Sequence, residues 1–390
     1  MIVRQFLQWV RHAPPGERAE ATSALARAYL HSDLSPDDLA AAEGAMIMLL
    51  DDPSPLVRGA LSEVFASSQK APLVVVRALA SDQPDVALPV LARSPLLLED
   101  DLVDLIATGE TATQVAIAGR VMLSRPLAAA ISEVGSAEAC LALLENDDAD
   151  IAIFSIDRIV ERFGHLSAIR ENLTSRDDLP MATRQALLSK LSQTLAGFVA
   201  GRQWLGTEHA EYAAREACEK ATLALAADTP YDEVAELMHH LRQSGQLTGG
   251  MILRALLCGN VVLFEEALAE LSGLPADRVA GYIHDKNISG FHALYRKAGL
   301  PDMAYPAFRE AITAMRDGIL VGEQGGVARL KRRMVERVLS RCSSERGPEM
   351  ASLLALLRRF AVEAAREEAR MFCDDLVAND YMIADARMVA

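Results

Sequence analysis

Cysteine is scarce in this sequence, and its spacing argues against two kinds of crosslink. The 390 residues include five cysteines, and no two of them form a Cys-x-x-Cys pair. An odd number of scattered cysteines supports neither a disulfide framework nor a zinc site. We therefore expect a protein of the reducing cytoplasm. The five residues are Cys140, Cys218, Cys258, Cys342 and Cys373.

Positive charge is also in short supply. The chain has 39 lysine and arginine residues against 54 aspartate and glutamate residues, which gives a formal net charge of −15. Nucleic-acid binding requires a positive field that neutralises phosphates and releases counterions. This balance argues against general binding to DNA or RNA.

Long apolar runs are missing as well. The run at residues 46–50 is far shorter than the roughly 18 apolar residues that predict a membrane span. The amino terminus carries Arg4 and Arg11 where a signal peptide would be apolar, and no small-residue cleavage site follows. We expect a soluble chain without a transmembrane segment.

Motifs for catalysis are the last absence. The sequence contains no G-x-S-x-G motif, phosphate-binding loop or dinucleotide fingerprint. His239 and His240 are adjacent, so on a helix they point about 100° apart and are poorly placed to share a metal ion. Acidic pairs such as Asp100 and Asp101 stand where helices start, where capping and the helix dipole explain them. We predict no catalytic residue, no metal site and no cofactor.

Repetition is what the sequence does contain. Val57, Val86 and Val115 lie at equivalent places of similar segments, in two steps of 29 residues. A fixed period between about 20 and 50 residues is typical of a solenoid of stacked units. Ile151 marks a further copy 36 residues after Val115, so the predicted array is irregular.

Each repeat has the pattern of two short amphipathic helices. In the first copy Ser54 is a predicted N-cap, and Pro55 occupies the first helical position, where a missing N–H costs nothing. Pro89 lies five residues into its helix and should kink or shorten it. Arg58 is replaced by alanine in the next two copies, so we expect no Asp–Arg ladder and interpret Arg58 as a local contact. Signals for β-strands are absent.

These segments resemble known families. The Asp-x-x-x-x-Val-Arg layout of residues 52–58 is similar to the second helix of a HEAT repeat, an α-solenoid unit. Three segments together resemble an uncharacterised bacterial family, typical of alphaproteobacteria, that is a domain of unknown function with HEAT-like repeats. The resemblance covers roughly residues 20–315 and implies an all-α, irregular HEAT-like solenoid without implying an activity. The segments are LLDDPSPLVRGALSE, VLARSPLLLEDDLVDLIATG and ISGFHALYRKAGLPDMAYPAFREAI.

The pattern changes after the repeats. Two long helices joined at Gly206 predict a helical hairpin, and shorter helices follow. The last segment predicts a long amphipathic helix, which either docks on the body or pairs with a partner helix. We divide the chain into a HEAT-like region (1–175), a second helical region continuous with it (181–320) and C-terminal helices (323–390). The apolar line of the last helix comprises Met350, Leu353, Leu357, Phe360, Ala364 and Met371.

Two stretches gather residues suited to binding. One is a predicted helix rich in arginine, for which a solvated helix is the alternative to a site for an acidic protein, a phosphate or a membrane surface. The other precedes a Gly-Leu-Pro break and predicts an exposed aromatic and cationic corner, although the helix dipole explains its cations about as well. The candidate interaction residues are Tyr295, Arg296, Lys297, Arg329, Lys331, Arg332 and Arg333.

A repeat architecture without a catalytic constellation favours a non-enzymatic scaffold or adaptor in bacterial signalling or cell organisation. We expect a protein partner, and the C-terminal helix offers a route to a homodimer. Two alternatives stay open: an enzyme on a HEAT-like scaffold, similar to some DNA glycosylases or bilin lyases, and a sensor of a small phosphorylated ligand. The glycosylase alternative requires a basic groove lined by aromatics, whereas Trp9 and Trp204 are far apart in the sequence.

Overall fold

The structure is a computed structural model that describes residues 6, 8–10, 12–227, 230–285, 288–317, 326–343 and 350–389, with the side chains of the last helix described as far as Asp374. Within these ranges the regular elements are helices and no strand occurs, which confirms the predicted all-α fold. The chain divides into two compact units, Met1–Leu179 and Pro180–Ala390. The finer division into three regions stays a prediction.

Unit 1 is built of short helices, several of which begin with proline. Ser54 is the N-cap residue of its helix as predicted, and the side chain of Asp52 accepts a hydrogen bond from its backbone N–H. Pro89 lies inside a helix without ending it. In chain order the helices are α1 (Pro15–His31), α2 (Pro36–Leu49), α3 (Pro55–Phe65), α4 (Leu73–Ala80), α5 (Pro84–Arg93), α6 (Glu99–Thr108), α7 (Thr111–Ala118), α8 (Arg125–Val134), α9 (Ala137–Leu144), α10 (Ile153–Phe163) and α11 (Ser167–Thr174).

These helices pack in two rows. Helices α1, α3, α5, α7, α9 and α11 contact one another in succession, while α2 packs on α4 and α8 packs on both α6 and α10. Val57 and Val86 are buried at the same place of α3 and α5, whereas Val115 is only half-buried. In that third copy Gln114 is buried instead, and its side-chain amide donates to the Ile106 carbonyl oxygen at 2.8 Å. Helices this short are marginal alone, so packing within the rows stabilises them.

Arginine–aspartate pairs join the first helices of unit 1. Arg18 donates to both carboxylate oxygens of Asp52, at 2.7 and 2.9 Å. Arg58 donates to both oxygens of Asp82 and, at 2.6 Å, to the Asp52 carbonyl oxygen. The expectation that no Asp–Arg ladder exists is therefore wrong for these two steps. The repeated segments give no sign of the Arg18–Asp52 pair, because Arg18 lies before the first copy of the repeat.

Beyond Asp82 a further pair, Arg125–Asp150, is exposed, and two other arginines contact carbonyl groups instead. Arg120 donates to the carbonyl oxygens of Leu91 and Ser94, at the end of α5. Arg162 donates likewise to Ser132 and Gly135 at the end of α8. The last carbonyls of a helix lack partners within the helix and carry its negative dipole. Arg120 thus caps the C-terminal end of α5, and Arg162 caps the C-terminal end of α8.

Arg58→Ala is expected to destabilise α3 and α5. The hydrogen bonds from Arg58 hold the pKa of Asp82 below its ordinary value, so the change leaves a half-buried carboxylate without its cation. We expect hydrogen exchange in α3 and α5 to report a loss of about 1–2 kcal/mol at neutral pH. Arg77→Ala is the control, because the Arg77–Asp101 pair is more exposed and should contribute little. Equal losses in the two variants would contradict a special role for Arg58.

Unit 2 begins with the predicted helical hairpin, in which α12 and α13 pack along each other. Shorter helices follow, and a long helix ends the unit. The helices are α12 (Met181–Gly201), α13 (Thr207–Ala227), α14 (Tyr231–Gln243), α15 (Gly249–Leu257), α16 (Val261–Ser272), α17 (Ala276–His284), α18 (Ile288–Lys297), a 3₁₀ turn (Asp302–Ala304), α19 (Tyr305–Arg316), α20 (Gly326–Cys342) and α21 (Met350–Val389).

One hydrophobic cluster contains buried residues of helices from α13 to α21. Phe264 of α16 and Phe308 of α19 stack at its centre, with ring centroids 6.1 Å apart. Leu353, Leu357 and Phe360 of α21 are buried in the same cluster. The first part of the C-terminal helix therefore docks on its own chain. None of the helices in the described ranges combines the length and apolar character needed to cross a bilayer.

Candidate functional site: the two faces of the C-terminal helix

Helix α21 presents two chemically different faces. The inner face carries the predicted apolar line, of which Leu353, Leu357, Phe360 and Ala364 are buried. Met371, the last residue of that line, is 47% exposed, so the docked part of the helix ends before it. Acidic residues accompany the apolar line, and each of them contacts a cation of the body. This inner face fixes the position of the outer one.

Arg254 is the centre of the inner contacts. It lies on α15, and its side chain is 5% exposed. Its guanidinium donates to Glu216 of α13 at 3.1 Å and to Glu363 of α21 at 3.2 Å, and it lies over the Phe360 ring, 4.4 Å from the centroid. Burial of an arginine is unfavourable unless carboxylates and a ring face replace water. We call Glu216, Arg254, Arg359, Phe360 and Glu363 the Arg254 cluster.

Glu216 accepts from two arginines of this cluster. Besides Arg254, the Arg359 guanidinium of α21 contacts the same carboxylate oxygen and lies over the Tyr212 ring. Burial raises the pKa of Glu216, and its hydrogen bond with the Glu363 carboxyl raises it further, while Arg254 lowers it. Two carboxyl groups that share one buried cation favour retention of a proton between them. Glu216 therefore binds a proton more readily in the folded chain than an ordinary glutamate does.

Next to the Arg254 cluster lies a cavity of about 250 Å³. Arg254, Lys331, Glu363 and Glu367 line it, and Lys331 donates to Glu367 at 2.7 Å. Cys258 also lines it, and burial raises the pKa of this thiol, which keeps it protonated and poorly nucleophilic. The Arg254 Nε atom has no hydrogen-bond partner among the described residues. The chemistry of this region is charge pairing rather than nucleophilic attack.

The outer face of α21 is apolar and basic. Val362 and Phe372 are 53% and 63% exposed, and Arg358, Arg366 and Arg370 are exposed as well. The acids Glu363, Glu367 and Glu368, in contrast, pair with Arg254, Lys331 and Arg332 of the body. As far as Arg370, the described part of α21 thus largely separates its charges: its acids turn inward and three of its arginines turn outward, while Arg359 contacts Glu216. In an acidic chain, this leaves a local surface of opposite sign.

Small residues complete the outer face at a coiled-coil spacing. Ala355, Val362 and Ala369 lie seven residues apart, and Arg358, Ala365 and Phe372 follow each of them by three. Alternating steps of three and four residues form the seam along which two helices pack. Alanines in the seam let a second helix approach closely. These six positions of the outer face therefore follow a heptad spacing.

The predicted basic stretch lies on α20, and much of its charge is neutralised within the chain. Lys331 contacts Glu367, Arg332 contacts Glu336 and Glu368, and Arg337 contacts Asp317. Arg329 and Arg333 are exposed. The acidic partner that the sequence indicated for this stretch includes the chain's own C-terminal helix. Whether these residues also bind another molecule stays a prediction.

The predicted corner at the end of α18 needs a correction. Tyr295 is fully buried, and its hydroxyl donates to the Pro301 carbonyl oxygen at 2.6 Å. Its ring packs against Tyr305 and Phe308, with centroids 5.1 and 5.3 Å away. The exposed aromatic is therefore wrong, because the turn after α18 brings Tyr305 and Phe308 onto this ring. Arg296 and Lys297 are exposed at the end of α18, on a different helix from the cations of α20.

Sequence reasoning missed Arg254, although one signal for it exists. It is a lone charge inside the apolar run of residues 251–257, which are all buried. A single arginine in such a run requires buried carboxylates nearby. Within the described ranges, no group of three or more His, Cys, Asp or Glu side chains is placed to hold a metal ion.

A family of proteins described as uncharacterised and conserved in bacteria (DUF2336) matches residues 86–346. The match covers about two thirds of the chain, beginning within α5 and ending after α20. No curated protein and no solved structure matches the chain. Arg254 and Lys331 lie inside the matched residues, whereas all of α21 lies outside them.

Proposed function

The chain belongs to this bacterial family, DUF2336, and we propose that it is a non-enzymatic protein-interaction module that binds an acidic helical segment of another protein. The outer face of α21 is the binding surface. The observation that carries the proposal is the separation of charge along this helix: Glu363 and Glu367 are held by the body, and Arg358, Arg366 and Arg370 face solvent beside exposed apolar residues.

Unit 1 supports a scaffold role in this proposal. Its two rows of short helices suit an irregular HEAT-like solenoid, in which each helix pair contacts its neighbours. All five cysteines are free, which fits a cytoplasmic location. A scaffold of this kind offers extended surfaces for binding without taking part in chemistry.

The charges of the outer face favour a different protein over a second copy of this chain. Antiparallel or parallel pairing of two α21 helices would bring arginines of one copy towards arginines of the other, since Arg358 lies in the seam and Arg366 beside it. Like charges across a seam oppose pairing. A partner helix with glutamates at its flanking positions removes this repulsion and adds attraction.

A membrane is also less suitable than a protein. Helices that lie in a lipid interface use large apolar residues, whereas three of the seam positions of α21 are Ala355, Ala365 and Ala369. The net charge of −15 repels anionic lipid surfaces. Alanines fit the close approach of another helix instead.

The proposal predicts that reversal of two charges reverses the binding preference. The probes are two helical peptides with leucine at the seam positions, one flanked by glutamate and its twin flanked by lysine. We expect the unmodified chain to bind the acidic peptide at least about tenfold more tightly, and the variant Arg358→Glu/Arg366→Glu to prefer the basic twin. Fluorescence anisotropy at two salt concentrations measures both affinities.

The matched control reverses two exposed cations on α18, with Arg296→Glu/Lys297→Glu. This variant should keep the preference for the acidic peptide. If it loses the preference while the α21 variant keeps it, the binding surface is the corner at the end of α18. Binding to anionic vesicles but to neither peptide would favour a membrane, and a dimer that Val362→Asp dissolves would favour self-association.

A further inference from the structure

A second cavity of about 530 Å³ lies in unit 2, between the helical hairpin and the turn that joins α14 to α15. Its volume is within the range of roughly 300–1,000 Å³ that is usual for sites of small molecules. Small residues of both hairpin helices, Ala196 and Gly197 of α12 and Ala214 of α13, leave this space open. It does not involve the outer face of α21.

The turn that closes the cavity is a built structure. Gly245 has a φ of +69°, and the next residue, Gln246, donates its backbone N–H to the Leu241 carbonyl oxygen at 2.8 Å. Only glycine adopts this conformation without strain. The Gln246 side chain is held at both ends, since it accepts from Gln185 at 2.8 Å and donates to the Ser189 hydroxyl at 3.2 Å. The cavity therefore presents fixed polar groups.

Hydroxyl and amide groups dominate the polar lining. Ser189, Ser192, Thr207, Ser244, Thr248 and Gln246 all border the cavity. Hydroxyls both donate and accept hydrogen bonds, and amides offer both functions at separate atoms. Such a lining matches a ligand that carries several hydroxyl groups of its own.

One carboxylate that lines the cavity is only weakly stabilised by neighbouring groups. Glu219 lines it and accepts from the Thr248 hydroxyl at 3.3 Å. Burial raises the pKa of Glu219, which shows that the charged form is poorly solvated there. Among the described residues no cation lies within salt-bridge distance of Glu219, although Arg215 and Arg254 act on it from further away. A cationic group placed in the cavity would stabilise this carboxylate.

We propose that this cavity binds a small polyhydroxylated primary amine, of the chemical class of the amino sugars. The protonated amine pairs with Glu219, and the ligand hydroxyls exchange hydrogen bonds with the serine, threonine and glutamine side chains. Glu211 also lines the cavity, and Arg215 is the one cation among the lining residues, so the charge balance favours a ligand with net positive charge. This site is independent of the proposed protein partner.

Three related sugars test the proposal on the full chain. Glucosamine carries the amine, glucose lacks it, and N-acetylglucosamine has it blocked; galactosamine and mannosamine extend the set. Below neutral pH, we expect calorimetry to detect binding of at least one amino sugar, with glucose and N-acetylglucosamine at least about tenfold weaker. The proposal is overturned if glucosamine, galactosamine and mannosamine all fail to bind, or if all five sugars bind equally.

Glu219→Gln should lower the affinity for the amino sugar at least about tenfold. Circular dichroism should show that the variant chain stays folded. Glu236→Gln is the control, because Glu236 is an exposed carboxylate on α14 outside the cavity. If this control weakens binding as much as Glu219→Gln does, the amine binds to the acidic surface in general and the proposal fails.

Discussion

Replacing Arg254 with alanine is expected to detach the C-terminal helix from the body of unit 2. The change removes the cation between Glu216 and Glu363, so that Glu363 loses its partner in a half-buried site and Glu216 keeps only Arg359. Breaking a buried ion pair by removing one partner costs about 3–5 kcal/mol. We expect hydrogen exchange in α13, α15 and α21 of the full chain to report a loss of this size, because these helices supply the Arg254 cluster.

The control is Arg359→Ala, which removes the other arginine that contacts Glu216. The Arg359 side chain is 38% exposed, so in the variant water can replace most of the contact that its guanidinium makes with Glu216. The expected loss is below about 1 kcal/mol. If both variants lose the same free energy, the burial of Arg254 has no special part in holding α21, and the inner face depends on its apolar residues alone.

The loss of stability in Arg254→Ala should become smaller as the pH falls. The pKa of Glu216 is already raised by burial and by Glu363, and removal of Arg254 raises it further. A carboxyl whose pKa is raised in the folded state binds protons more readily there than in the unfolded state, so its contribution to stability increases as the pH decreases through that window. Once Glu216 carries a proton, its carboxyl group no longer requires the cation that Arg254 supplied.

The fold class was accessible from the sequence because helices are decided locally. Proline at the first position of α3, an N-cap at Ser54 and apolar residues at helical spacing all lie within a few residues of one another. The position of the hairpin follows from the same kind of signal around Gly206. Such features need no knowledge of what the helix will contact, which is why the all-α prediction succeeded.

The inner contacts of α21 could not be predicted in this way. Arg254 reaches Glu216 across 38 residues and Glu363 across 109 residues. A lone arginine in an apolar run indicates that partners must exist, but periodicity cannot say which of 54 acidic residues they are. Likewise the cations of α20 looked available for an outside partner because the acids that neutralise them come from a different helix. Charge in a sequence predicts a surface only after internal pairs are removed.

Tyr295→Ala is expected to destabilise unit 2 by about 3–5 kcal/mol, because it empties a fully buried aromatic site next to Tyr305 and Phe308. Tyr295→Phe keeps the ring but leaves the Pro301 carbonyl oxygen without its donor, which costs about 1–3 kcal/mol. Urea unfolding followed by hydrogen exchange in α18 and α19 separates the two contributions.

The matched tyrosine for this test is Tyr212, which is 46% exposed and lies under Arg359. Tyr212→Ala removes a ring of the same size from a site that water reaches, so its loss should stay below about 1 kcal/mol. If Tyr295→Ala were as mild as this control and instead weakened binding of the acidic peptide, the residue would belong to a surface site after all. With the burial observed, the ring instead fixes the turn that follows Arg296 and Lys297, and the binding surface of the module is expected on α21.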